Sequence, residues 1–124
     1  MSTVLQVAVT SGFSCAPELS GTRLLVTFEG TGDVAAVELL TSYVQQVHAE
    51  VLRLGLTEVR CDFRKVSFMN SSCFKSFVVW IDRVKNLPQP YQIRFVTEPS
   101  MQWQRRSLEA LRRLATSVVI VEEG

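Results

Sequence analysis

Histidine is almost absent from this chain: His48 is the only one in 124 residues. A histidine-rich metal site is therefore impossible, and any histidine-driven nucleophile would have to be built around that single ring. Cysteine is scarce and widely spaced, at Cys15, Cys61 and Cys73. Three is an odd number and no C-x-x-C pair occurs, so neither a disulfide framework nor a cysteine metal site is indicated. A reduced, cytoplasmic setting fits that usage. Long apolar runs are missing too. The longest, Phe77 to Ile81, has five residues, whereas a membrane-spanning helix needs about twenty. The first residues carry no basic region and no apolar stretch of secretory-signal length. There is no phosphate-binding P-loop and no G-x-G-x-x-G, so a bound nucleotide cofactor is not expected. An excess of one charge is lacking as well: thirteen Lys plus Arg stand against twelve Asp plus Glu, a net charge of +1. A dedicated nucleic-acid binder normally carries a large positive excess.

What is present is the composition of an ordinary globular protein, 47% hydrophobic and 20% charged, at a length that predicts a single domain over residues 1–124. Glycines and prolines at Gly12, Pro17, Gly21, Gly30, Gly32, Gly55, Pro88, Pro90 and Pro99 divide the chain into element-sized pieces. Leu5, Val7 and Val9 alternate with polar or small residues and predict a short strand. Phe13 to Leu19 reads as a turn or a weak strand. Arg23 to Glu29, with Leu24, Val26 and Phe28 on one face, is a better one. From Val34 to Leu54 the residues Val37, Leu40, Val44, Val47, Val51 and Leu54 recur at spacings of three and four. That predicts an amphipathic helix, capped by Asp33 and stopped at Gly55.

Glu58 to Arg64 alternates Val59, Cys61 and Phe63 with Glu58, Arg60, Asp62 and Arg64. A strand covered on both sides would be apolar nearly throughout, so this one predicts a sheet with a wet face. Tyr91 to Val96 repeats the pattern. Asn70 to Asn86 is a second helix, with Phe74, Phe77, Val78, Ile81 and Val84 inward and Lys75, Val79, Asp82, Arg83 and Asn86 outward. A third runs from about Met101 to Ala115 with Leu108, Leu111 and Leu114 inward, and Ser117 to Glu122 is a last strand. Strands alternating with helices imply right-handed parallel crossovers. The predicted architecture is a small α/β sandwich, a mixed sheet of four to five strands with helices mainly on one face.

Chemistry concentrates where the strand from Glu58 hands over to the second helix, in Met69-Asn70-Ser71-Ser72-Cys73-Phe74. Asn70 is a strong N-cap, able to accept from the amide of Ser72 or Cys73. The first helical turn has unpaired amides and a partial positive charge. Ser71 and Ser72 stand there either as further caps or as hydroxyls on which a phosphate would be locally welcome.

The stretch Val59-Arg60-Cys61-Asp62-Phe63-Arg64-Lys65-Val66-Ser67-Phe68-Met69-Asn70-Ser71-Ser72 resembles the signature of the STAS family. That family comprises the anti-sigma factor antagonists and the cytoplasmic domains of sulphate transporters. Its pattern is a strand, then Phe, Ile or Met followed by Asp, Ser, Ser or Thr and Gly, then a helix. Trp103-Gln104, Ser107-Leu108 and Leu111-Arg112-Arg113-Leu114 resemble a STAS-like bacterial subgroup, so the likeness spans roughly residues 20 to 122. The resemblance implies a partner switch. A serine kinase that is also the anti-sigma factor phosphorylates the second of two adjacent hydroxyl residues and releases the protein, and a phosphatase resets it. On this chain the acceptor is then Ser72, with Ser71 the second choice and Asn70 at the family's Asp. Cys73 stands where the family has Gly. The resemblance also allows a constitutively docked subunit of a larger assembly, transport machinery included, with no phosphorylation.

Remaining residues have two readings each. Cys73 at a helix start is a reactive thiol if exposed and a packing residue if buried. His48, beside Gln45 and Glu50 on the first helix, reads as a surface residue too far from Ser72 for catalysis, so no enzyme is predicted. Arg105, Arg106, Arg112 and Arg113 form a basic stripe, either a solvated face or a meeting point for an acidic partner. Trp80 and Trp103 read as packing residues. Val79 is either a stray exposed valine or, with Ser71, Ser72, Lys75, Asp82 and Arg83, the apolar centre of a partner-binding surface.

Overall fold

A computed structural model describes residues 2–124; Met1, counted in the predicted domain span, lies outside them. Six strands and three helices follow one another as β1 (Ala8–Thr10), β2 (Phe13–Ser20), β3 (Arg23–Gly32), α1 (Val37–Leu54, preceded by a single 3-10 turn Val34–Ala36), β4 (Glu58–Met69), α2 (Ser71–Lys85), β5 (Gln92–Thr97), α3 (Gln102–Arg112) and β6 (Val119–Glu123). The six strands form one sheet in sequential order. β1, β2 and β3 pair antiparallel through tight hairpins, and β3 to β6 run parallel. Each parallel step moves the chain in the same direction across the sheet. Right-handed crossovers then bring every helix to the same side, which is why the other side stays wet.

The α/β class and the one-sided layout agree with the sequence, but the sheet has six strands where four to five were expected. Phe13 to Ser20 is a full strand, with Phe13 and Cys15 in the core. The first strand is short. Of the alternating Leu5, Val7 and Val9, the two valines are exposed and Leu5 is buried just before the strand. The segment before β1 is instead held by α1: Glu50 accepts from the Thr3 hydroxyl and from the Val4 amide at 2.8 Å, and Tyr43 Oη donates to the Gln6 carbonyl at 3.1 Å.

β4 departs from strict alternation. Its buried positions are Val59, Cys61, Phe63, Val66 and Met69. The pairing with β3 slips twice, between Thr27 and Glu29 and between Gly30 and Thr31, each time with one extra residue on β4. Two such irregularities turn Lys65 and Ser67 to solvent, bring Val66 inside, and restore Met69 to the core face. Gly30 is opposite, at φ +109, where a Cβ would stand 2.0 Å from the Gly12 carbonyl oxygen. Gln104, fully buried at the start of α3, completes the correction. Its Nε2 donates to the Phe63 and Val66 carbonyls at 2.7 and 2.8 Å, and its Oε1 accepts from the Glu98 amide at 2.9 Å.

Three further helix assignments need correcting. Val78, expected inward, is 39% exposed, while Trp80 and Ser76 are buried; Ser76 meets Thr41 of α1 at 2.9 Å. Leu114, also expected inward, is 46% exposed because α3 ends at Arg112 and the phase is lost beyond it. His48 and Glu50 are buried, not on the surface. Trp80 Nε1 donates to Tyr91 Oη at 2.7 Å, and that oxygen lies 2.7 Å from His48 Nδ1. The indole can only donate, so Tyr91 Oη accepts from it, and the same oxygen shares one hydrogen bond with the buried imidazole. Burial, with Arg83 nearby, lowers the His48 pKa.

Two outcomes follow. Gln104→Leu keeps the volume but leaves two carbonyls and an amide unpaired, and should cost about 2–4 kcal/mol in urea unfolding. A histidine whose folded pKa lies below its unfolded value of 6.5 contributes stability that is complete above 6.5 and lost as pH falls below it. The urea midpoint should therefore be lower at about pH 5.5 than at about pH 7.5, and His48→Phe should flatten that difference.

Candidate functional site

Asn70 ends β4 and caps α2. Its Oδ1 accepts from the Cys73 amide at 3.1 Å, one of the two amides the sequence allowed. Its own amide donates to the Gly32 carbonyl at 2.8 Å, so the helix start is pinned to the end of β3. Since Asn70 takes the capping role, neither serine is needed for it. Ser71 is exposed and Ser72 half-buried. Both amides belong to the first turn, which has no intrahelical acceptor and carries the positive end of the helix dipole.

Cys73 is fully buried. Its Sγ approaches the Gly32 carbonyl at 3.5 Å and the Asp33 carbonyl at 3.3 Å. Burial, then the Asp33 charge, pushes its thiol pKa up, the opposite of an activated cysteine. The packing reading is the one observed. Cys15 is pushed up to about 12 by burial alone, and Cys61 lies well above the ordinary thiol range through burial first, with the Cys15 and Asp62 charges adding to it.

From Ser72 a groove of about 270 Å³ runs between α1 and α2. Ser72, Lys75, Val79 and Arg83 line it from α2, and Val79 is 59% exposed. Ser71 and Asp82 do not line it. Asp82 faces a second depression on the other flank of α2, shared with Val78, Ile81 and Leu114. The first groove's other wall, Val37, Thr41, Val44 and Gln45 of α1, went unnoticed in the sequence. The only signal for it was the polar pair Thr41 and Gln45, one turn apart beside the Val37–Val44 stripe. Two exposed apolar residues lie close along the chain: Phe68, 52% exposed and two residues before Asn70, and Val34, 75% exposed just after Asp33.

Trp80 packs in the core and Trp103 against it. Arg105, Arg106 and Arg113 are exposed; Arg105 pairs with Glu123 at 3.0 Å, and the half-buried Arg112 with Glu109 at 2.8 Å. Among the described residues no cluster of three metal-ligating side chains occurs, and no helix is long and apolar enough to cross a membrane.

No protein-family model and no curated protein matches the chain. Solved structures do. An anti-sigma factor antagonist from Mycobacterium paratuberculosis aligns over 90% of this chain and 97% of its own, at 15% identity and a TM-score of 0.66. A chain of the complex of diguanylate cyclase SiaD with its activator SiaC from Pseudomonas aeruginosa aligns over 97% of this chain and 99% of its own, at 15% identity and TM-score 0.70. The phosphorylated form of the Bacillus cell fate determinant SpoIIAA aligns over 86% of this chain and 89% of its own, at 13% identity and TM-score 0.57. The likeness is one of fold: this chain has the STAS-like, SpoIIAA-like fold that the signature around Asn70 led one to expect.

Burial of all three cysteines makes a direct outcome. At pH about 8 a thiol reagent such as DTNB should leave the folded protein unmodified while it titrates three thiols in urea; rapid labelling of Cys73 in the folded state would contradict the geometry.

Proposed function

We propose that this chain is a regulatory protein-interaction module of the anti-sigma factor antagonist type. It docks through the outer face of α2 and is switched by phosphorylation of Ser72, with Ser71 the second acceptor. One observation carries the reading: the half-buried Ser72 stands in the first turn of α2 and also lines the end of the α1–α2 groove. A phosphate there adds about −1.5 to −2 charges. The helix end tolerates an anion, favouring it by about 0.3–1 kcal/mol, so the fold survives the modification. A docking surface does not, because a like charge placed against a partner's carboxylates costs several kcal/mol. At about 1.4 kcal/mol per tenfold, that releases a micromolar complex.

The partners are then a serine kinase that is itself the anti-sigma factor and a resetting phosphatase, in the cytoplasm. The solved structures that share the fold are compatible with such a role, since they include anti-sigma factor antagonists, one of them in phosphorylated form, and a chain from an enzyme–activator complex. The module performs no chemistry of its own. The chain's one histidine is hydrogen-bonded to Tyr91 inside the core, so it is not paired with Ser72.

The test is to isolate the protein from its own cells, map phosphate by mass spectrometry, and compare partner capture by Ser72→Ala and Ser72→Glu. Phosphate on Ser72, tight capture by Ser72→Ala and at least tenfold weaker capture by Ser72→Glu are expected. Equal capture by both, with Ser72 unmodified under all growth conditions, would replace the switch with a constitutively docked subunit.

A further inference from the structure

The groove between α1 and α2 has a chemical bias. Its apolar lining comes from Val37 and Val44 on one wall and Val79 and Trp80 on the other. Its charged lining is Lys75 and Arg83, with no carboxylate. The polar remainder is Thr41, Gln45, Ser72 and Ser76, and Ser76 and Thr41 already bond to each other across the helices. An occupant therefore meets an apolar floor under a cationic rim.

The walls also constrain the occupant's backbone. Helix interiors have their N–H and C=O groups paired internally, so an extended peptide gains no main-chain bonds here, as it would at a sheet edge. A helix enters with its backbone already paired, so it loses least on leaving water. Ser72 and Arg83 are eleven residues apart on α2, about 16 Å at 1.5 Å per residue. The site accommodates about three turns.

We propose that the groove receives an acidic amphipathic helix from the regulatory partner. Apolar side chains at helical spacing rest on Val44, Val79 and Trp80, and flanking carboxylates meet Lys75 and Arg83. This rests on the docking role proposed above and names the chemistry of what docks. It also gives the switch its mechanism, since a phosphate on Ser72 enters at the end of the same groove and faces those carboxylates.

The experiment places the photo-cross-linking residue benzoylphenylalanine at Val79, irradiates in the protein's own cells, and identifies the captured segment by mass spectrometry. The segment is then synthesised and titrated against the purified full chain. The expected segment is net acidic with apolar residues three and four apart, and its circular dichroism turns helical on binding. The Lys75→Glu/Arg83→Glu double variant should weaken binding about tenfold, as should raising salt from about 0.05 M to about 0.5 M. Since both side chains are exposed, the double variant should melt within a few degrees of wild type, which separates lost binding from lost fold. A basic or non-helical segment, a cross-link only to a second copy of this chain, no cross-link, or unchanged affinity in the double variant would each overturn the proposal. If the peptide binds as expected but equally well to Ser72→Glu, the groove assignment stands and the phosphorylation switch fails.

Discussion

The ring of Phe77 is the point on which the arrangement turns. It comes down from α2 onto three phenylalanines of the sheet, with centroids 5.7 Å from Phe28, 5.6 Å from Phe63 and 5.8 Å from Phe95, all near edge-on. Each such pair adds about 0.5–1.5 kcal/mol beyond the area buried. With that ring fixed, the rotation of α2 about its axis is fixed. Cys73, Phe77, Trp80, Ile81 and Val84 face the sheet, and the helical period leaves Ser72, Lys75, Val79 and Arg83 toward α1 and solvent. A rotation of one residue, about 100°, would bury Lys75 and expose Phe77. The composition of the outer face is thus a consequence of core packing.

The opposite side of the sheet is held by different forces. Glu58 is buried on that face and binds Arg23 at 3.4 Å and Arg94 at 3.1 Å; Arg94 continues to Glu122 at 3.2 Å. Asp62 holds Arg64 at 2.8 Å. Exposed pairs contribute little individually, about 0.2–1 kcal/mol. Their structural role is to tie β3, β4, β5 and β6 across a surface that has no helix layer. A charged, interleaved face also resists the stacking that an apolar sheet would invite.

Much of this was legible in the residues because it is local. The alternation in Glu58 to Arg64, the three-and-four spacing of α1 and the Asn70 cap depend on neighbours in sequence, and the structure repeats them. What escaped notice depends on distant partners. His48 is polar and sits among polar neighbours, yet Tyr91, 43 residues on, draws it inside. Phe13 to Ser20 contains Ser14, Pro17 and Glu18 and lacks a strong pattern; its strand character comes from pairing with β3. The bulged part of β4 is bonded by Gln104, 41 residues beyond Phe63. The site divides in the same way: the α2 side was legible from one helix's periodicity, whereas the α1 side appears only when two helices are packed together.

One small set of contacts has a thermodynamic consequence. The Asn70 amide bonds the Gly32 carbonyl, and the Cys73 sulfur approaches the carbonyls of Gly32 and Asp33. Asp33 in turn caps the 3-10 turn that leads into α1, accepting from the Ala35 amide at 3.0 Å. The two helices that face each other across the groove therefore start from one shared anchor, centred on the buried Gly32 and Cys73. Walls joined in this way have little configurational freedom left to surrender when something enters between them, so the entropy of ordering falls on the incoming chain. For the acidic helix proposed above, selectivity at such a cleft would be exercised through how readily the visitor folds, favouring intrinsic helical propensity over a match in charge alone.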